Sequence, residues 1–268
     1  MKLWTLLLLV VASQSLAKES ITLVLASQLD NGHRFYHELL YEALTKQGYA
    51  VEIVVPSEHI PQKRVIRMVE NNQLSLTWLL ATPERDAKYS VVNVPLTNGL
   101  IGQRVMLIPP ELQPQLNEVH TLQDLQDTHL VAGLGLLWFD VEVWQENGLN
   151  IYVEDGEWRS LYHKLTIDGE VNYFPRGMNE VLSEAKQNPH LAIEERLLLV
   201  YDCDFKFYLS PEMAKYRDIL ETALRKAKSN GMLDKLVKKY WGESWQRIDP
   251  EHRVVIKLDL PNHTSQNR

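Results

Sequence analysis

Arg85 is the residue whose type and position point most directly to a binding site, and Thr82 lies three residues before it. The apolar run 77–81 has the length of a buried strand, and Pro83 must end it because proline lacks a backbone N–H. Arg85 therefore stands just past a strand end, where open α/β sheets bind ligands. Its planar guanidinium suits a carboxylate or phosphate, and the Thr82 hydroxyl can add a hydrogen bond. The alternative is an exposed loop arginine paired with Glu84 or Asp86.

Two further groups of side chains have spacings that could support chemistry. His33 and His37 share one face of a predicted helix and could hold a metal ion, although no third ligand lies near them in sequence. Asp202 and Asp204 flank Cys203, and alternate residues of an extended segment share a face. Paired carboxylates can transfer protons or bind a cation, but an exposed crossing segment explains them as well. Cys203 lies in an apolar segment, which is more typical of a buried filler than of a nucleophile.

Motifs for bound cofactors are missing from the sequence. The segment 133–138, GLGLLW, ends a predicted strand, and free backbone N–H groups there could bind an anion. It is not a dinucleotide fingerprint, because Trp138 occupies the place of the last glycine. G-x-S-x-G, C-x-x-C and phosphate-loop motifs do not occur, so no cofactor is expected.

The elements that would position these residues alternate between strand and helix patterns. Strands are predicted at 21–26, 51–55 and 77–81, with helices after Asn31 and around Val65 between them, an order that favours parallel strands with helical crossovers. Thr121 and Asp124 have the spacing of a capping box ahead of a short helix. Further strands are predicted at 102–110, 129–135, 170–174, 195–201, 205–210 and 253–261, and further helices from about 139, at 158–165, at 177–186 and near the C-terminus. The pattern is that of an α/β protein.

Length, charge and the N-terminal residues limit the possible functions. Residues 1–17 have a charged start, a short apolar segment and a small-x-small cleavage site, which together predict a cleaved secretory signal peptide. The formal net charge of −7 argues against nucleic acid as a partner. With Cys203 as the single cysteine, the chain cannot form an internal disulfide and must depend on its core.

Three segments resemble the polar amino-acid type of periplasmic solute-binding protein, known as family 3. LATPERDAKYS resembles the family's T-x-x-R signature, TLQDLQDTHLVAGLG resembles its entry to the second lobe, and NGMLDKLVKKYWGE resembles its C-terminal end. YFPRGMNEV is similar to a subgroup that carries an F-P-R-x-x-N-E stretch. The resemblance implies the type II fold: two α/β lobes, each a mainly parallel sheet flanked by helices, with a ligand cleft between them. It places lobe one at 20–106 plus 204–268 and lobe two at 107–203.

The same resemblance implies a set of cleft residues. Arg85 corresponds to the arginine that clamps the ligand's carboxylate. The acidic residue that holds the ammonium group in the family would fall near Arg176, and a second cation there favours an anionic solute. Pairing of Arg176 with Glu180 outside the cleft is the alternative. Aromatic residues are wall candidates, with core packing as the alternative for each: Trp78, Trp138, Phe139 and Tyr173.

The resemblance predicts an exported binding protein that works as a monomer in the periplasm. It would capture a small, anionic, carboxylate-bearing solute and deliver it to an inner-membrane ABC permease or a sensor. One alternative is a dehydratase-like enzyme on the same fold, with Glu180 or Asp202 as its acid. Another is a sensory or envelope module that has lost amino-acid binding.

Overall fold

The computed structural model describes residues 20–56 and 59–261. The predicted signal peptide, 1–17, lies outside the described residues. Within the described ranges, none of the helices combines the length and the apolar character needed to cross a membrane.

A first body is built around one hydrophobic core cluster to which Leu23, Leu39, Phe207 and Leu224 contribute. The elements of this body are β1 (Ser20–Val24), α1 (Arg34–Lys46), β2 (Ala50–Val54), α2 (Gln62–Glu70), β3 (Leu76–Leu80), α3 (Pro83–Lys88), β4 (Ser90–Val92), β11 (Phe205–Leu209), α9 (Arg217–Ser229) and α10 (Met232–Ile248). Strand β11 lies between β3 and β4 and runs antiparallel to both, whereas β1 and β2 pair in parallel.

A second body is formed mainly by the middle of the chain. Its elements are β5 (Gln103–Ile108), α4 (Gln113–Leu116), α5 (Leu122–Asp127), β6 (Val131–Gly135), α6 (Asp140–Glu146), β7 (Asn150–Glu154), α7 (Leu161–Lys164), β8 (Phe174–Gly177), α8 (Val181–Gln187), β9 (Ala192–Ile193), β10 (Leu197–Val200) and β12 (Val254–Lys257). Its five-stranded sheet has the order β12-β10-β5-β8, with β9 paired to β5, while β6 and β7 form a separate parallel pair.

Pairing in the two bodies is both parallel and antiparallel. The predicted parallel arrangement occurs at β1–β2, β6–β7 and β10–β12. Antiparallel pairs occur where β5 meets β8, β9 and β10 and where β11 returns beside β3 and β4. The lobe boundaries stay a prediction, and any division of the chain must account for the pairing of β12 with β10.

Local sequence chemistry explains where two of the helices begin. The capping box ahead of α5 is present: Asp124 N donates to Thr121 Oγ1 at 3.1 Å, and Thr121 N donates to Asp124 Oδ2 at 2.9 Å. Helix α1 begins at Arg34 and not directly after Asn31. Asn31 has a φ of 62°, and a residue in the left-handed region cannot start a right-handed helix.

Strand β8 lies further along the chain than predicted. The predicted strand ended at Pro175, but Pro175 is inside β8 and pairs with Met106 of β5. This is possible because β8 is an edge strand, where a missing N–H breaks no ladder bond. As a result Arg176 stands on the strand, and the following helix begins at Val181 instead of Gly177.

Candidate functional site

A cavity of about 430 Å³ lies between the two bodies and is lined by both. The first body contributes Asp30, Trp78 and Arg85, and the second contributes Trp138 and Glu180 among others. The bodies also bind each other beside the cavity. Trp138 Nε1 donates to Gln62 Oε1 at 2.8 Å, and Arg159 forms an ion pair with Asp30.

Arg85 reaches across this cavity from the first turn of α3. Thr82 is the N-cap of that helix, and its hydroxyl oxygen accepts from Arg85 N at 3.2 Å. Arg85 Nη1 donates to Leu80 O at 2.7 Å, and Nη2 donates to Leu137 O of the second body at 2.6 Å. A guanidinium has five N–H donors, and carbonyl oxygens do not neutralise its charge, so Arg85 can still bind an anionic group.

Two other predictions concern this turn: that Asp86 could pair with Arg85, and that the Thr82 hydroxyl could add a hydrogen bond to the ligand. Asp86, the alternative partner of Arg85, accepts from Lys206 Nζ and Tyr208 Oη, each at 2.8 Å. Thr82 is buried, serves as the helix cap and does not line the cavity. The structure therefore brings Arg85 to the cavity, while Thr82 orients the helix that carries it.

Arg176 lies in the cavity wall but is not a free cation. Its side chain is 4% exposed, and Glu184 binds it with two oxygens, to Nε and to Nη2, each at 2.7 Å. Glu180 Oε2 lies 3.0 Å from Nη2. Burial alone would lower the pKa of Arg176, but the two carboxylates hold it well above its ordinary value. The expectation of a second cation that attracts an anionic solute is therefore not supported, because this charge is already matched inside the protein.

Glu180 supplies a carboxyl group from the second body to the cavity. The family resemblance placed the corresponding acidic residue near Arg176, four positions earlier in the sequence. Glu180 stands immediately before α8, with Oε2 3.7 Å from Arg104 Nη1 as well as close to Arg176. Arg104 is itself paired with Asp140 at 2.9 Å. Two guanidinium groups thus face three carboxyl groups, those of Asp140, Glu180 and Glu184, and Glu180 is the most exposed of the three at 27%. Burial raises the pKa of Glu180 above its ordinary value, although Arg176 and Arg104 lower it.

Asn179 is a cavity residue that sequence analysis missed. It is 8% exposed and lines the cavity directly before Glu180. Among the described residues, its Oδ1 is buried without a hydrogen-bond partner. An unpaired buried acceptor costs about 1–3 kcal/mol, and a ligand that donates a hydrogen bond to Oδ1 after the amide turns toward the cavity would recover that cost. Asn179 is the asparagine of the F-P-R-x-x-N-E stretch, 174–180, but that stretch gave no indication that its side chain lines a cavity.

The predicted aromatic residues divide between cavity and core. Trp78, Trp138 and Phe139 line the cavity, and Trp78 stacks on Tyr36 with ring centroids 4.3 Å apart. Tyr173 is fully buried away from the lining, and its Oη accepts from Trp144 Nε1 at 3.0 Å. Trp158, which sequence analysis named only as a helix boundary, also lines the cavity.

Two backbone N–H groups that follow β6, predicted to be free to bind an anion, already donate hydrogen bonds within the protein. Leu136 N donates to Glu154 O at 2.9 Å, and Trp138 N donates to Gly135 O at 3.0 Å. These amides are already paired, so the turn contributes to the cavity mainly through Leu137 and Trp138.

The two histidines are bound to the backbone around β1. Gln28 N donates to His33 Nδ1 at 2.9 Å, and His37 Nε2 donates to Ala26 O at 3.0 Å. Burial is the main cause that lowers the pKa of His37 to about 4. Over the described residues, no group of three or more potential metal ligands is assembled.

In the segment 202–204, the Asp204 carboxylate is occupied by hydrogen bonds within the protein. Asp204 Oδ1 accepts from Thr97 N, Thr97 Oγ1 and Phe205 N at 2.7–2.9 Å, and Oδ2 accepts from Gly99 N at 2.8 Å. Asp202 is exposed, so the two carboxylates do not act as a pair. Burial raises the pKa of the Cys203 thiol to about 12, which is unsuited to a nucleophile.

No family model matches the chain, and no curated protein matches its sequence. Solved structures do match it. An ancestral arginine-binding protein bound to glutamine has a TM-score of 0.61 at 14% identity, over 82% of this chain and 98% of that one. An amino acid ABC transporter substrate-binding protein from Streptococcus pneumoniae, bound to L-arginine, has a TM-score of 0.60 at 14% identity over 82% and 94%.

A third match is an ancestral amino acid-binding protein described as a precursor of cyclohexadienyl dehydratase. Its TM-score is 0.59 at 15% identity, over 82% of this chain and 95% of that one. At such identities the likeness concerns the fold. It confirms the predicted α/β architecture of the type II, two-lobe periplasmic-binding class, and these structural neighbours are amino-acid-binding proteins.

Proposed function

We propose that this protein is an exported solute-binding protein that captures a small amino-acid-like zwitterion between its two bodies. The observation that carries the proposal is that Arg85 of the first body and Glu180 of the second line the same cavity. Arg85 would bind the solute's carboxylate through its free donors. Glu180, the surplus carboxyl group, would accept a hydrogen bond from its ammonium group, and Asn179 Oδ1 would accept another once its amide turns toward the cavity.

The zwitterion replaces the anionic solute that the sequence favoured. That expectation depended on Arg176 as a second cation, and Arg176 is paired with Glu184 and Glu180. The matched structures support this change, because those bound to arginine and glutamine hold ligands with an α-ammonium group. A cavity of about 430 Å³ is in the range of small-molecule sites.

The remaining parts of the proposal follow from the predicted signal peptide and the family resemblance. The mature chain would work as a monomer in the periplasm and pass its solute to an inner-membrane ABC permease or a sensor. A ligand stabilises a closed form only by binding it better than an open form, so a solute held by both bodies favours closure.

The test is calorimetric titration of the purified mature protein with a panel of L-amino acids and matched dicarboxylates, guided by native mass spectrometry for a co-purified solute. We expect micromolar binding of at least one α-amino acid. Arg85→Ala should weaken the affinity for this amino acid by at least about 100-fold, because the ligand carboxylate loses two hydrogen bonds from a charged group. Asn179→Ala should weaken it by about 10-fold.

Lys88→Ala is the matched control, because Lys88 lies on the same helix but pairs with Glu70 outside the cavity. Its affinity should equal that of the wild type. Tighter binding of dicarboxylates than of amino acids, or unchanged affinity in Arg85→Ala, would refute the proposed function.

A second candidate is an enzyme that acts on a carboxylate, and one observation favours it. Burial raises the pKa of Glu180, as expected of a general acid, and Glu180 lies in the cavity near two guanidinium groups. Turnover of a bound carboxylate that is lost in Glu180→Gln would support this candidate, and binding without turnover would exclude it.

A further inference from the structure

We propose that Arg176 is a specificity-determining residue: its side chain fills a cation cage at one side of the cavity, so that solutes with a cationic side chain are rejected. The inference deepens the proposed function and rests on it for the nature of the solute. The existence of the cage is independent of any natural ligand.

The walls of the cage are aromatic. The guanidinium carbon of Arg176 lies 4.6 Å from the ring centroid of Trp158 and 4.9 Å from those of Trp138 and Phe174. Aromatic faces within about 6 Å attract a cation, most strongly when water is excluded. Arg176 is almost completely buried, so water is excluded from these contacts.

The floor of the cage is acidic. Glu184 presents two oxygens to Nε and Nη2 in the fork geometry that matches a guanidinium, and Glu180 adds a third oxygen at 3.0 Å from Nη2. Two carboxyl groups therefore face one cation. A site of this composition suits a planar, hydrogen-bonding cation of the guanidinium class, and the protein supplies that cation itself.

Rigid elements hold both the occupant and its partners. Arg176 lies on β8, where it pairs with Val105 of β5, and both carboxyl groups come from the segment that forms and precedes α8. Trp138 is fixed by its bond to Gln62, and Trp158 and Phe174 pack against it. Arg176 cannot leave the cage without breaking its two bonds to Glu184 at once.

The consequence for recognition is a matter of space. A solute with a guanidinium or long ammonium side chain would have to place it beside a cage whose aromatic faces and carboxylates are already occupied by Arg176. Solutes with short or neutral side chains meet no such conflict. Removing the Arg176 side chain should therefore convert the wall into a binding site for small guanidinium ions.

The experiment is thermal unfolding of the full mature chain with methylguanidinium chloride at up to about 10 mM, with sodium chloride at equal ionic strength as reference. We expect no shift for the wild type and, for Arg176→Ala, a rise in Tm that grows with the logarithm of probe concentration and is about 3–6 °C when the probe reaches ten times its Kd. L-arginine should likewise stabilise Arg176→Ala and leave the wild type unchanged.

Two further variants make the result specific. Arg176→Met fills the aromatic cage with an uncharged chain and should not respond to the probe. Arg176→Ala combined with Glu184→Gln should lose most of the response, because the bidentate acceptor is gone. If Arg176→Ala does not fold alone, the probe should restore folded protein during refolding.

The inference is overturned if the probe neither raises the Tm of Arg176→Ala nor restores its folding, if Arg176→Met responds equally, or if wild-type protein binds L-arginine. Failure of the proposed function would appear differently, as lack of amino-acid binding in wild type with the methylguanidinium response of Arg176→Ala intact.

Discussion

Asp204 should be among the side chains on which stability depends most, although it carries no proposed chemistry. Its carboxylate accepts four hydrogen bonds, three of them from Thr97 and Gly99, at 2.7–2.9 Å. At about 1 kcal/mol of net stabilisation for each bond, Asp204→Ala should lower the free energy of unfolding by about 4 kcal/mol. For a chain of this size that corresponds to a fall in Tm of about 8–16 °C. Urea titration followed by tryptophan fluorescence and circular dichroism measures the change.

Asp202 provides the matched control, because it is two residues away and exposed. Asp202→Ala should change stability by less than about 0.5 kcal/mol. Asp204→Asn should fall between the two, because its amide nitrogen would face Gly99 N–H, donor to donor, at a cost of about 1–3 kcal/mol. If Asp204→Ala and Asp202→Ala unfold at the same urea concentration, the anchoring role is refuted.

Three further predictions concern pH, backbone contact and thiol reactivity. The pKa of His37 is about 4 in the folded chain and about 6.5 in the unfolded chain, so the unfolded chain takes up the proton first as pH falls. The free energy of unfolding should therefore decrease between about pH 6.5 and pH 4. In urea titrations His37→Gln should reduce this decrease by about 2–3 kcal/mol, and an unchanged dependence on pH would contradict the prediction. Gly102→Ala would place a Cβ 2.4 Å from Tyr201 O and should lower the free energy of unfolding by about 1–3 kcal/mol. Gly242→Ala is the control: its Cβ would lie 3.4 Å from Lys238 Cγ inside α10, so this change should be neutral or stabilising. Because burial raises the pKa of Cys203 to about 12, iodoacetamide at pH 8 should label it at least about 100-fold more slowly than in urea, and equal rates would show an accessible thiol.

Much of the fold was predictable because its signals are local. The strand patterns at 51–55, 129–135 and 205–210 lie within two residues of β2, β6 and β11 at each end. The capping box of α5 requires only Thr121 and Asp124. The short strands β4 and β9 were missed, because three or two residues give no periodicity. The position of β8 was missed because tolerance of Pro175 depends on its being an edge strand, which is a property of the sheet.

The candidate site was predictable on one side only. Arg85 follows from a strand that ends at a proline, a signal contained in nine residues. The opposite side depends on pairing at a distance: Arg176 is neutralised by Glu184, eight residues later, only because β8 continues to Gly177 and α8 begins at Val181. From the sequence spacing, only Glu180, one helical turn away, was predicted as a partner of Arg176. The favoured prediction was that Arg176 is an unpaired cation that binds the solute.

The pairing of β12 with β10 has a mechanical consequence. In the described part of the chain, the polypeptide passes between the two bodies three times: before β5, after β10 and between α10 and β12. Only five residues, 249–253, separate α10 from β12, and Arg253 donates to Ile248 O at 2.7 Å and to Leu197 O at 3.0 Å. This third passage is a short tether with little slack. Any rotation of one body against the other has to be accommodated within these five residues, where Asp249 has a left-handed backbone and Arg253 is held by hydrogen bonds.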